Sequence, residues 1–143
     1  MKTILQTLFM LTVLTFAGEM PVMAQNPVQD NNNGMIVRIS EIEVYPEYLS
    51  EYLNYAEEVA RTSVENEKDV ISIYPMSVIK NSTQIRILEI YRSQEAYKNH
   101  IASPHFKKYK EETLHMVKSL NLVDTYQLCP EIFGKIFKKA PKR

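Results

Sequence analysis

The sequence contains no tryptophan, three glycines and one cysteine. Each shortage removes a class of explanation. With so few glycines there is no glycine-rich loop whose backbone amides could cradle a phosphate. The single thiol, Cys129, closes no internal disulfide, and no local base makes it a nucleophile. It is expected at the end of the last strand, buried as a small apolar side chain. Charge of either sign is not in excess: 17 basic residues balance 17 acidic ones. Nothing therefore points to a nucleic-acid partner. No repeat is present at a useful period. The longest apolar run, Ile4 to Ala17, is too short to span a bilayer comfortably.

What is present begins with that run. Lys2 precedes it, and Val22-Met23-Ala24 follows with the small residues read by a signal peptidase. Residues 1–24 are expected to be a signal peptide, cleaved after Ala24, which directs the protein to the periplasm or outside the cell. Residues 25–34 form a polar spacer. Residues 35–129 are long enough for one domain with a modest core. Residues 130–143 form an apolar and basic tail, with Ile132, Phe133, Ile136 and Phe137 on one stripe. The tail is expected to pack as an arm on a partner subunit. Contact with an anionic membrane is the less favoured reading, because interfacial helices are usually longer.

Within the domain, Met35–Tyr45 reads as a β-branched strand closed by Pro46. A helix over residues 47–67 carries Leu49, Leu53, Ala56, Val59, Ala60 and Val64 at helical spacing. Val70–Lys80 is a second strand, in which Pro75 argues for an edge or a bulge. Asn81–Gln84 is turn chemistry, and Ile85–Arg92 a third strand. Ser93 caps a short helix to Ala102. Ser103-Pro104 then repeats the start signal for a longer helix with Phe106, Tyr109, Thr113, Met116 or Val117, and Leu120 on one face. The fourth strand is expected over Leu122–Cys129. The order β-α-β-β-α-β, with its second helix split, is the ferredoxin-like α+β arrangement. The first strand has polar residues on both faces: Arg38 and Ser40 on one, Glu41 and Glu43 on the other. Such mixed polarity suits a partly polar, half-buried space, as when two sheets pair into a barrel-like dimer. Nine tyrosines without a tryptophan suit the wall of a pocket for a flat, partly polar ligand.

The segment order, the opening MIVRISEI and the stretch EIYRSQEAYKNHIASPHFKKY resemble the antibiotic biosynthesis monooxygenase family of dimeric α+β barrels, over Met35 to Leu128. The motif His100, Ser103, Pro104, His105, Phe106 is closest to the quinol-oxidising branch and also resembles relatives that isomerise a phosphorylated sugar. The anthrone-oxidising members carry Asn and Trp where Ile87 and Tyr91 stand here, and only Tyr97 matches. The haem-degrading members need a Trp and a helical His, and Lys110 falls near that His, which disfavours haem chemistry. The resemblance implies a homodimer and oxygen insertion into a small aromatic or quinol-type substrate, without a cofactor. Such chemistry requires a base, a water-excluding pocket and donors for the oxyanion. His100 is the first candidate base and His105 the second. Glu89 and Glu41 are strand carboxylates that could orient a histidine or act as the base. Arg38, Glu41, Tyr91, Tyr97 and Tyr109 are candidate substrate contacts. A phosphate-clamping isomerase would need clustered cations, and Arg38, Arg86 and Arg92 do not cluster in the sequence. A non-catalytic binding module is the third reading. No metal is expected, because two histidines without a fixed third ligand fall short of a zinc site.

Overall fold

The computed structural model describes residues 30–136. The signal-peptide reading and the end of the tail lie outside the described residues. Strand β1 spans Ile36–Val44, helix α1 Leu49–Asn66, β2 Val70–Val78 and β3 Asn81–Tyr91. Helix α2 spans Gln94–Ala102, α3 Pro104–Thr113, β4 Val117–Asp124 and the short α4 Phe133–Ile136. The strands form one antiparallel sheet in the order β2-β3-β1-β4. This is the ferredoxin-like α+β fold with a split second helix.

Period-two alternation sorts β1 as the sequence suggests. Ser40, Ile42 and Val44 are buried on the helix side, with Arg38 in the same row. Glu41 and Glu43 point to the other face, where Arg86 and Lys118 pair with them. After a short 3-10 turn at Pro46–Tyr48, α1 buries Tyr52, Ala56, Val59, Ala60 and Ser63, a stripe at helical spacing. Leu53 and Val64, expected on that stripe, are exposed on its shoulders. Tyr52 takes the centre instead and is wholly buried. The main core joins Ile42, Val44, Tyr52, Ala56, Ile85, Ile87 and Met116 from β1, α1, β3 and the turn before β4. Fully burying an aliphatic side chain of this kind stabilises by about 1.5–3 kcal/mol.

Pro75 lies in β2, an edge strand, where its missing N–H costs no ladder bond on the open side. The hairpin turn falls at Ile79-Lys80 rather than Asn81–Gln84, because Val78 pairs with Asn81 and β3 begins there. Two further expectations fail at the C-terminal end. Helix α3 stops at Thr113, and a 3-10 turn, Leu114–Met116, leads into β4 at Val117. The backbone of Met116 accepts from Tyr45 N–H at 2.9 Å, which locks this turn against the end of β1. The strand therefore lies five residues earlier than Leu122–Cys129 and ends at Asp124. Cys129 falls beyond it and is exposed, not a buried strand residue.

Candidate active site

The helices cover one face of the sheet, leaving a cavity of about 510 Å³ between the two layers. That volume lies within the usual range for small-molecule sites. Its walls are mostly apolar: Ile42, Ile73 and Ile87 from the sheet, Ala56 and Val59 from α1, Phe106 from α3. Leu114, Leu120 and Leu122 line it and are exposed, so it opens between α3 and β4. One region is polar and holds Arg38, Ser40, Glu89, Tyr91, Tyr97 and His100.

Local sequence places these groups. Ser93 Oγ accepts Ala96 N–H at 3.1 Å and starts α2. Ser103 Oγ accepts Phe106 N–H at 3.3 Å and starts α3, with Pro104 at its first position. The break between the helices sets His100 at the end of one and His105 at the start of the next. His100 is 2% exposed, lines the cavity and packs against Tyr91 and Phe106 at ring separations of 5.3 and 4.8 Å.

Behind His100 stands a residue the sequence reading overlooked. Glu67, just past the end of α1, sends one carboxylate oxygen to both histidines. Its Oε1 lies 2.9 Å from His100 Nδ1 and 2.6 Å from His105 Nε2. His105 Nε2 also lies 3.1 Å from Ser103 Oγ. Burial alone would push the Glu67 carboxyl up, but the bonds from His100 and His105 outweigh it and hold it below the usual carboxylate range. The signal that could have found Glu67 is its position. An acid at a helix C-terminus meets the negative end of the dipole and calls for a compensating positive or donor group.

Glu89 faces the cavity from β3 with both oxygens engaged. Its Oε1 accepts from Ser40 Oγ, and its Oε2 accepts from Tyr91 O–H at 2.8 Å. Burial, then the adjacent Glu89 charge, pushes the Tyr91 hydroxyl well above its ordinary range, so it remains a donor. Tyr109 and Tyr52 join hydroxyls at 2.7 Å, and burial pushes both up. The Arg38 guanidinium lies 4.9 Å over the Tyr97 ring and bonds Asp124 at 2.6 Å. The bond to Asp124 outweighs the opposing effect of burial and holds it charged.

Of the residues singled out in the sequence, Arg38, Glu89, Tyr91, Tyr97, His100 and Tyr109 are brought together at the cavity. Two are not. Glu41 lies on the opposite face of the sheet, where Asn121 Nδ2 donates to it at 3.0 Å, because β1 alternation turns it away. His105 does not line the cavity and sits behind His100 on Glu67. His115 is exposed and packs edge-on against Tyr48.

The family model described as antibiotic biosynthesis monooxygenase matches residues 35–112. No curated protein matches the chain. Among solved structures, a provisionally assigned antibiotic biosynthesis monooxygenase from Bacteroides thetaiotaomicron is 43% identical, with a TM-score of 0.67, over 68% of this chain and 92% of that one. A provisionally assigned monooxygenase from Lactobacillus acidophilus is 27% identical, with a TM-score of 0.63, over 64% of this chain and 44% of that one. A protein of the first description from Nitrosomonas europaea shares the fold at 14% identity and a TM-score of 0.64, over 68% of this chain and 94% of that one. The matched span holds three of the four strands, both halves of the split helix and the Glu67–His100–His105 cluster, and on it the chain belongs to the antibiotic biosynthesis monooxygenase family.

Proposed function

We propose that the protein is a cofactor-independent monooxygenase acting on a small aromatic or quinol-type substrate, with His100 as general base. One observation carries this reading. His100 is the only histidine lining the cavity, and its Nδ1 is occupied by Glu67, which leaves Nε2 without a protein partner among the described residues. A quinol enters between α3 and β4 and lies against Phe106 and the isoleucines. His100 Nε2 takes the proton of a ring hydroxyl. The resulting anion passes one electron to dioxygen, and the superoxide and substrate radical join as a carbon-bound hydroperoxide. Loss of water leaves a new carbonyl oxygen on the ring. One oxygen atom enters the product, the other leaves as water, and all electrons come from the substrate. Tyr97 and the Arg38 guanidinium are the donors placed to hold the oxyanion. The apolar walls exclude water from the reactive anion.

Two other readings are less well supported. A phosphorylated sugar needs a cluster of cations at one point of the cavity, yet Arg86 and Arg92 do not line it and Lys118, which does, is paired with Glu43. A pure binding module does not require a base aimed into its pocket. Replacing His100 by Ala tests the proposal. Oxygen uptake across a panel of quinols and anthrone-like compounds should fall by roughly a hundred- to ten-thousand-fold, the usual worth of general-base catalysis. A variant with full uptake and a native fold would move the base elsewhere, with Glu89 next in line.

Two properties of the whole protein belong to the same proposal. The half-buried outer face of the sheet, with Ile39, Leu88 and the exposed Tyr74 and Met76, supports pairing with a second copy. The leader supports export, which mass spectrometry would check by finding Gln25 at the mature N-terminus.

A further inference from the structure

The Glu67–His100–His105 cluster has a job the base alone does not explain. Its three ligating atoms lie within 4.8 Å of one another, which raises two possibilities: a divalent cation or a hydrogen-bond hub. The distances favour the hub. Tetrahedral zinc at about 2.05 Å from each ligand would hold the ligand atoms about 3.3 Å apart around a shared point. Here both ring nitrogens instead converge on one oxygen at 2.6 and 2.9 Å, the spacing of charge-assisted hydrogen bonds. A carboxylate only accepts, so each of those nitrogens carries a proton.

We propose that Glu67 is a positioning residue that fixes the His100 tautomer, and that His105 holds Glu67 in place. The consequence follows from counting protons. With Nδ1–H donated to Glu67, a neutral His100 must keep Nε2 as a bare lone pair, and Nε2 is the nitrogen available to the cavity. Without the carboxylate the ring is free to adopt the other tautomer, in which Nε2–H is a donor and no base. The groups packed around His100 do not set the tautomer in place of Glu67. Tyr91 gives its hydroxyl to Glu89, Phe106 offers only its ring, and the His105 ring nitrogen is hydrogen-bonded to Glu67. His105 is the second donor on Oε1, and its Nε2 also lies 3.1 Å from the hydroxyl oxygen of Ser103, the residue that starts α3, which can share that proton as a weaker acceptor. The split between α2 and α3 therefore brings the base and the clamp for its partner to the same carboxylate.

This inference rests on the reading of His100 as base for its catalytic meaning, but its test does not need a substrate. Nitrogen-15 correlation spectra of the full chain show which ring nitrogen bears the proton. At mildly alkaline pH, wild-type His100 should show a protonated Nδ1 and an unprotonated Nε2. In Glu67→Gln, whose side-chain amide can donate to Nδ1, the tautomer should become mixed or invert. In His105→Gln it should stay as in wild type, with a weaker and more exchange-prone Nδ1–H. If wild-type His100 carries its proton on Nε2, or if Glu67→Gln leaves the tautomer unchanged, the proposal is wrong. Zinc bound by wild type at micromolar affinity and lost in both variants would equally overturn it, making the cluster a metal site. With a substrate in hand, Glu67→Gln should lower kcat about a hundred-fold or more with KM little changed, while Glu67→Asp recovers part of the loss. If the tautomer behaves as stated but His100→Ala retains activity, the base assignment falls and the positioning role of Glu67 stands.

Discussion

Replacing Glu67 by Ala tests the physical account of the site through folding rather than turnover. The carboxylate accepts two charge-assisted bonds, from His100 Nδ1 at 2.9 Å and His105 Nε2 at 2.6 Å. The His100 side chain is 3% exposed, so its Nδ1 would be left without a partner, as a donor in one tautomer or as an acceptor in the other, in a place water hardly reaches. An unsatisfied buried donor or acceptor costs about 1–3 kcal/mol. His105, at 23% side-chain exposure, regains water and adds little. The desolvation that Glu67 suffers in the wild type is relieved and offsets part of the loss. The net expectation is a destabilisation of about 1–3 kcal/mol, or a fall in Tm on the order of 10 °C for a domain of this size. The sign with pH follows from linkage. The folded-state pKa of Glu67 lies below its ordinary value of 4.5, so its contribution is fully present above that value and is lost as pH falls through the depressed one. Urea titrations of wild type and Glu67→Ala should differ by this amount at pH 7, and the difference should shrink below pH 4. A gap under about 0.5 kcal/mol at pH 7, the level of an ordinary surface change, would refute the reasoning. So would a gap of the same size at pH 3.

Two further predictions concern the corner and the assembly. Ser103→Ala removes the N-cap of α3 and the contact to His105, and should cost about 1 kcal/mol, read by denaturant titration, with amide exchange speeding up in the first turn of α3. No change there would show that Pro104 and packing alone start the helix. Sedimentation should find a dimer at micromolar concentration, and Tyr74→Glu, a charge placed on the outer face of the sheet, should shift it toward monomer. A wild-type monomer under these conditions would rule out the pairing.

How far the chain could be read depends on where each signal resides. Strand β1, helix α1 and the β2–β3 hairpin carry strong local patterns, and their order was legible. The two serine caps were legible because an N-cap is satisfied within three residues of itself. Strand β4 was misplaced for a reason visible in its burial. As an edge strand with no helix over most of its length, six of its eight residues are exposed, so it shows little alternation. Leu120 also lies four residues after Met116, at a spacing that continues the helical stripe of α3. Cys129 was misjudged with it.

The candidate site divides along the same line. The sequence by itself determined the fold class, the broken helix and the presence of His100 and His105 at its corner, because those depend on short-range propensity and caps. Tertiary structure decided what the two histidines do. Glu67 is 33 residues from His100 and 38 from His105, on the far side of a β-hairpin, and no periodicity links them. Only the packing of α1 against α3 and the return of the chain through β2 and β3 bring its carboxylate behind His100. The same packing turns His100 toward the cavity and His105 away from it, and the pleat of β1 keeps Arg38 while excluding Glu41. Side-chain direction in a sheet is fixed by register, and contacts between distant segments by the core they share, so neither is written in any short stretch of the chain.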